Sequence, residues 1–474
     1  MNWEEFLLMR HELQLLAVIL FVICAEIYYS GRDKSGIVPL SIGLFSLHMA
    51  AGWLPVGEGA LFGGMFRTHG LIHFLKNLLD VGVLVVMLQT AGWVKRQLVP
   101  EQRVSEFYLL LWSSLLGMYY MLSAGDLLML FLGLELSTLP VAALAAYEVA
   151  RLRSAEGGIK MILTAGLASA VTLMGISFLY GATGTFALAG LSQHLSSNGL
   201  ETLGFFFFFA GIAFKISLVP FHFWTPDVYE GAPTGIAGYL SVVSKGAAVF
   251  ILMILLLEFS PALAGTWKAA LYLLAILTMT TGNLFALRQQ NLKRLLAFSS
   301  VAQAGFILLG FLAAGQDGPA SIIYFILVYI FSNLAAFGVV HAVAMQTGRE
   351  NLDDYEGMYR VNPRLSLVML LALFSLAGIP PLAGFFGKFF LFMAAASSGY
   401  YLLLLIAVLN AVVSLYYYLI VVRAMFLRKS EAPLPYIQND NWMRASLLIC
   451  VAGILVLGVS SGVYDYIFGL CTRL

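Results

Sequence analysis

The sequence predicts an all-α polytopic membrane protein with about fourteen membrane-spanning helices. Three observations carry that expectation. Hydrophobic residues make up 61% of the 474 positions and charged residues only 11%, against about 25% charged in ordinary globular domains. Mean hydropathy is +0.89. Apolar runs of helix length recur from end to end, and in lipid a helix satisfies every backbone polar group within its own segment.

The runs lie near residues 13–29, 37–54, 71–93, 106–123, 126–148, 160–183, 204–225, 233–258, 267–287, 293–314, 321–346, 364–396, 400–427 and 444–470. Four parts follow. Residues 1–105 hold three N-terminal helices, 106–258 a first five-helix repeat, 267–428 a second, and 429–474 a last helix. Helices 4–8 and 9–13 cover similar lengths, and an odd number of spans makes two such repeats inverted in topology. Lysine and arginine set the orientation. One set of alternate loops holds Arg32, Lys34, Arg103, Arg151, Arg153, Lys160, Arg288, Lys293, Arg294, Arg349, Arg360 and Arg428 among others, whereas the opposite set holds only Arg10, Arg67, Lys268 and Arg473. The basic set is expected in the cytoplasm. Both termini are then on the periplasmic side of a bacterial plasma membrane. The loops 182–199 and 346–363 read as solvated connectors.

Composition also excludes classes. A net charge of +1 leaves no nucleic-acid footprint. Cys24, Cys450 and Cys471 are scattered and form neither a metal spacing nor a disulfide framework. Acidic residues stand where a signal peptide wants basic ones. No glycine-rich nucleotide loop or cysteine cluster occurs, so neither a nucleotide nor an iron–sulfur cluster is expected in this chain.

The informative residues are charges inside the spans. A charge at bilayer depth costs roughly 3 kcal/mol or more. Lys215 and Lys245 sit near the middle of successive apolar runs, and Lys388 lies in the twelfth. Glu135 is nine residues past Asp126, a candidate N-cap, which places it roughly 13–14 Å deep. Lys245, twelve residues past Pro233, is roughly 18 Å along its helix. Lys76 lies one turn from a helix end and is expected to snorkel to the interface. Helices 7 and 12 are expected to be broken. Pro220 removes a donor and displaces the carbonyl of Ile216, and Pro380 and Pro381 free the carbonyls of Leu376 and Ala377. Interrupted helices in corresponding halves mark a transport site. Burial and a neighbouring opposite charge act in opposite senses on an ionisable group. A Glu135–Lys215 pair whose separation changes would therefore act as a proton switch, with Lys245 and Lys388 as water-linked relays. Protonated lysine offers no acceptor to Na⁺. His222, Ser299, Ser300 and Gln303 add polar groups. Each has a plainer reading: the charges as glue between helices, His222 as a partner for a freed carbonyl beside Pro220. The Phe205–Phe209 run reads as lipid-facing or packing surface.

At these residues the chain resembles a known family. The stretch WTPDVYEGAPT (Trp224–Thr234), with KISLVPFHFW before it and LSVVSK after it, resembles the N-type antiporter-like subunit of proton-pumping NADH:quinone oxidoreductase, respiratory complex I. FLGLELSTLP around Glu135, SAEGGIKMILTAGLASA around Lys160, LYGATGT at Leu179–Thr185, NLKRLLAFSSVAQAG at Asn291–Gly305 and LAGIPPLAGFFGKF around Lys388 extend the likeness from the fourth span to the thirteenth. The resemblance implies two inverted repeats, a Glu135–Lys215 pair, Lys245 as central relay and Lys388 toward the exit. It implies M-type and K-type subunits as neighbours, lipids around them, and a translocase driven by quinone reduction elsewhere. NADH, FMN, iron–sulfur clusters and quinone would belong to other subunits. Two departures stand out. Gln303 takes the place of a frequent histidine, and Met161 that of a usual tyrosine beside Lys160. Lys160 reads equally as an aid to proton uptake or as a plain cytoplasmic-side charge. Two alternatives remain open, a Mrp-type cation/proton antiporter subunit and a membrane scaffold that pumps nothing.

Overall fold

A computed structural model describes residues 6–29, 31, 33–195, 198–430 and 432–472. Arg32 and Arg473 of the orientation argument lie outside the described residues. The chain is an all-α polytopic membrane protein. Twelve of the described helices are long and apolar enough to cross a membrane. Those used below are α1 (Arg10–Tyr28), α2 (Ile37–Gly52), α3 (Gly70–Trp93), α4 (Val104–Leu122), α5 (Leu127–Ala145), α6 (Leu152–Thr183), α7 (Gly199–Ile216), α8 (Thr234–Phe259), α9 (Leu263–Ala286), α10 (Leu292–Leu312), α11 (Asp317–Thr347), α12 (Pro363–Ala377), α13 (Ala383–Ser397), α14 (Tyr401–Phe426) and α15 (Asn441–Val459). The predicted twelfth span is divided between α12 and α13, as its two prolines require. Helix α4 stands outside the twelve because its serines, tyrosines and Glu106 lower its apolarity. The predicted last span is also divided: α15 ends at Val459 and a short helix, Gly462–Cys471, follows.

Helix ends follow local chemistry. Asp126 caps α5, its side chain accepting from Met129 N at 2.7 Å. Gly184, at φ +70°, ends α6 in the left-handed conformation that costs glycine little. The loop beyond it is partly ordered, with a helix at Leu188–His194. The connector 346–363 likewise contains a 3₁₀ turn, Leu352–Tyr355, and a short helix, Met358–Val361. Between α2 and α3 lies an antiparallel hairpin, β1 (Gly59–Leu61) and β2 (Phe66–Thr68). Strands of three residues leave too little alternation to be read from sequence.

The chain forms two compact units. One comprises Met1–Lys215 and Gly246–Thr266, the other Ile216–Lys245 and Trp267–Leu474. In the first, α4 and α5 meet backbone to backbone. A Cβ on Gly117 would lie 2.3 Å from Ser137 N, and one on Gly133 2.6 Å from Met121 N. Small residues allow this approach, and dispersion rather than water exclusion favours it in lipid. Phe205, Phe208 and Phe209 are buried, and Phe259 packs edge-on to Phe205 at 5.5 Å. The phenylalanine run is therefore largely packing surface. Lys76 does not snorkel: it is fully buried and donates to Glu12 and to Ser123 Oγ. In the second unit, α10 and α11 are predominantly apolar and buried almost throughout, as helices at the centre of a bundle must be.

Gly133→Leu should overpack the α4–α5 contact, costing about 1–3 kcal/mol. Gly166, where a Cβ would meet nothing within 4 Å, should accept alanine without effect. Unfolding midpoints in detergent check both. Equal midpoints for Gly133→Leu and the parent would show that the two backbones do not meet.

Candidate functional site

Two groups of buried polar side chains hold the predicted lysines. The first is built by α5, α6 and α7. Helix α7 stops at Ile216, four residues before Pro220, and Ser217 takes φ +68°. Lys215 is thus in the last helical turn, and its ammonium reaches α5. It donates to Ser137 Oγ, to Thr138 Oγ1 at 2.8 Å and to the Leu134 carbonyl at 3.3 Å. The hydroxyls of Ser137 and Thr138 in turn donate to Leu134 O at 2.7 and 2.6 Å. Glu135 takes a different partner. It is half-buried and accepts from Ser169 Oγ of α6. Among the described residues no direct ion pair joins Glu135 to Lys215, so the expected salt bridge is absent in this conformation. Beside Lys215 lies a cavity about the size of one water molecule, lined by Leu134, Thr138, Ala168, Ser169, Gly211 and Lys215.

The second group lies in the other unit. Lys245 is fixed by α10, donating to Ser300 Oγ at 2.6 Å and to Ser300 O at 3.1 Å. A π-helical turn, Leu240–Ser244, immediately precedes it, and Asn333 of α11 donates to Ser241 Oγ at 2.7 Å. Such turns are rare and occur often at functional sites. Nothing in the local sequence signals this one. Next to Ser300, Ser299 shares a 2.6 Å hydrogen bond with the Tyr418 hydroxyl of α14. Gln303 Nε2 donates to Tyr418 OH at 3.4 Å and to Leu376 O at 3.1 Å. Lys388, on α13, donates to Leu376 O at 2.9 Å and to Ala377 O at 3.1 Å. These are the two carbonyls that Pro380 and Pro381 free. A cation also suits the C-terminus of α12 through its dipole. Gly378, at φ +90°, ends α12, and Gly384 lets the halves cross, since a Cβ there would lie 1.7 Å from Ser375 O. A small cavity lined by Gln303, Tyr329, Ser332, Ser375 and Lys388 adjoins the chain. Gln303 Oε1 is buried and has no protein partner.

The auxiliary residues separate. Ser299 and Gln303 belong to the second group. His222 is buried beside Phe223, with its ring toward the Pro220 carbonyl of the break. Lys160 is exposed on α6 and pairs with Glu156 at 2.7 Å. Tyr418, in the run LYYYL, is not legible from sequence as a site residue, because three tyrosines in succession point around the helix and only packing selects one. The PDVYEG acids have a structural role as well. On the short helix Trp224–Gly231, Asp227 and Glu230 both accept from Arg294 Nη1, at 2.6 and 3.0 Å, and Lys293 donates to Ala232 O at 3.2 Å. The element after the break is thereby clamped to the start of α10.

Known proteins share this arrangement of helices. The family described as NADH:quinone oxidoreductase/Mrp antiporter, TM, matches residues 124–414. NADH-quinone oxidoreductase subunit N of Phocaeicola vulgatus is 46% identical over 466 residues, 98% of each chain. Among solved structures, a chain of respiratory complex I from Thermus thermophilus with bound aureothin is 33% identical, with a TM-score of 0.79 over 95% of this chain and 98% of that one. A chain of the Mrp complex from Dietzia sp. DQ12-45-1b has a TM-score of 0.84 at 19% identity, over 100% and 97% of the two chains, which is a likeness of fold alone.

Removing the Lys388 ammonium leaves two carbonyls without their donor. Lys388→Leu should therefore lower stability by about 1–3 kcal/mol. Lys160→Ala, which breaks a solvent-accessible i,i+4 pair, should change it by no more than about 0.5 kcal/mol. Denaturation of the two variants in detergent compares them. Equal losses would mean that Lys388 does not bind the broken helix.

Proposed function

Since the chain belongs to the NADH-quinone oxidoreductase subunit N family, we propose that it is a membrane-arm subunit of a proton-pumping NADH:quinone oxidoreductase, a translocase. It moves protons through Glu135, Lys215, Lys245 and Lys388, driven by quinone reduction elsewhere in the complex. NADH, FMN, iron–sulfur clusters and quinone are bound by other subunits on this reading, and the redox chemistry is theirs. M-type and K-type subunits flank the chain in a bacterial plasma membrane, with both termini periplasmic.

The observation that supports this most is a pair of hydrogen-bonded sets that meet at adjacent residues of α10: Lys245 on Ser300, and Ser299 with Tyr418, Gln303, the Leu376 carbonyl and Lys388. Chemistry assigns the parts. A hydroxyl both accepts and donates, so Ser300, Ser299 and Tyr418 can each take a proton on one side and release another. A peptide carbonyl only accepts. Leu376 O therefore holds Gln303 and Lys388 in place but passes nothing. The transfer to Lys388 runs through water in the adjoining cavity, with Gln303 Oε1 as an acceptor. Tyr418 supplies the exchangeable hydrogen that a glutamine at position 303 does not. In the other unit, a water in the cavity beside Lys215 would reach Glu135 through the Ser169 hydroxyl that lines it. A shift of α7 that replaces the Ser137 and Thr138 hydroxyls by the Glu135 carboxylate changes how firmly Lys215 holds its proton. The Mrp-type antiporter reading shares the fold, and differs in needing no quinone turnover.

Lys245→Ala in the assembled complex, in sealed vesicles, tests the assignment. Quinone reduction and acidification should fall together by at least about tenfold, equivalent to about 1.4 kcal/mol in the barrier. Tyr418→Phe should slow both by a smaller factor. Undiminished pumping in Lys245→Ala would make the chain a scaffold. Na⁺-driven acidification without quinone would make it an antiporter subunit.

A further inference from the structure

The N-terminal helices carry a second cluster of buried polar groups, outside both groups described above. Its charges do not cancel by themselves. Lys76 and Glu12 neutralise each other. Asp80, fully buried on α3, has no lysine or arginine partner among the described residues. Its neighbours are His11 Nε2 of α1 at 3.0 Å, His48 Nε2 of α2 at 3.7 Å and the Tyr119 hydroxyl of α4, which donates to Oδ1. An unpaired carboxylate in a dry interior is costly, by several kcal/mol. A cation placed among these atoms removes that cost.

We propose that His11, His48 and Asp80 form a Zn²⁺ site. Imidazole and carboxylate are the donors a first-row divalent ion selects, and zinc takes them in a tetrahedron with bonds of about 2.0–2.1 Å. Such bonds separate neighbouring donor atoms by about 3.3 Å. The two distances to Asp80 Oδ2, 3.0 and 3.7 Å, bracket that value, and the three donor atoms all lie within 4.8 Å of one another. The site is preformed, because each ligand stands on a different helix. Tyr119 orients the carboxylate from its other oxygen and lies 3.1 Å from His48 Nε2. Both rings turn Nε2 inward and leave Nδ1 without a protein partner. The fourth position goes to water. The neighbouring Lys76 ammonium is held by Glu12 and by Ser123 Oγ. His11 is the second residue of α1 and His48 is four residues from the end of α2. Both histidines thus stand near helix ends, and binding the ion ties α1, α2 and α3 together.

Zinc content of the purified complex, equilibrated with Zn²⁺ and desalted, tests the site. The parent should retain one zinc more than either His48→Gln or Asp80→Asn. His73→Gln, whose imidazole instead bonds Thr68 Oγ1, should keep it. Co²⁺ in place of zinc should give the strong visible bands of a tetrahedral ion, lost in His48→Gln. Equal metal content in parent and variants overturns the proposal. If the variants do not assemble, zinc-edge absorption on the parent decides. A shell with imidazole nitrogen and oxygen at about 2.0–2.1 Å supports the site, and its absence overturns it.

Discussion

An ammonium taken out of water must find oxygen atoms inside the protein, and a helix broken inside the protein must find donors for its carbonyls. Each requirement answers the other in this molecule. Lys388 sits against the two carbonyls that Pro380 and Pro381 release. Lys215 stands in the last turn of the helix that Pro220 ends, and reaches hydroxyls on its neighbour. Either feature alone would be strongly unfavourable. Within each unit the pairing makes a polar pocket in an apolar bundle, where non-helical backbone can exist at membrane depth.

Each pocket depends on close packing within its own unit. The α4–α5 contact through Gly117 and Gly133 fixes α5, and so fixes which side chains of Leu134–Thr138 meet Lys215. Gly384 lets α13 cross α12 closely enough for Lys388 to reach back. The Arg294 clamp on Asp227 and Glu230 secures the helix between the Pro220 break and the π-helical turn before Lys245. The PDVYEG acids thereby acquire a physical role, anchoring an irregular stretch of the backbone.

Hydroxyls give the second group its character. Serines and a tyrosine at neutral charge avoid the desolvation cost that another buried ion would bring, yet still exchange protons. Gln303 is neutral for the same reason. It binds Tyr418 and the Leu376 carbonyl at once, which makes it a positioning element.

The amino-acid sequence by itself determined the membrane-spanning class, most helix limits, both breaks, the carbonyls freed at the second break and the lysines worth attention. These properties are local. They follow from hydropathy over one helix length and from proline's missing donor. Tertiary structure alone decided who faces whom. One residue turns a helix by about 100°, so the difference between Glu135 and its neighbours Leu134, Ser137 and Thr138 as partners of Lys215 is a matter of helix rotation. The same holds for Tyr418 among three tyrosines, and for Lys76, which a single-helix view sends to the surface and the bundle buries against Glu12. His11, His48 and Asp80 are far apart in the chain, and only the packing of three helices brings them within reach of one ion.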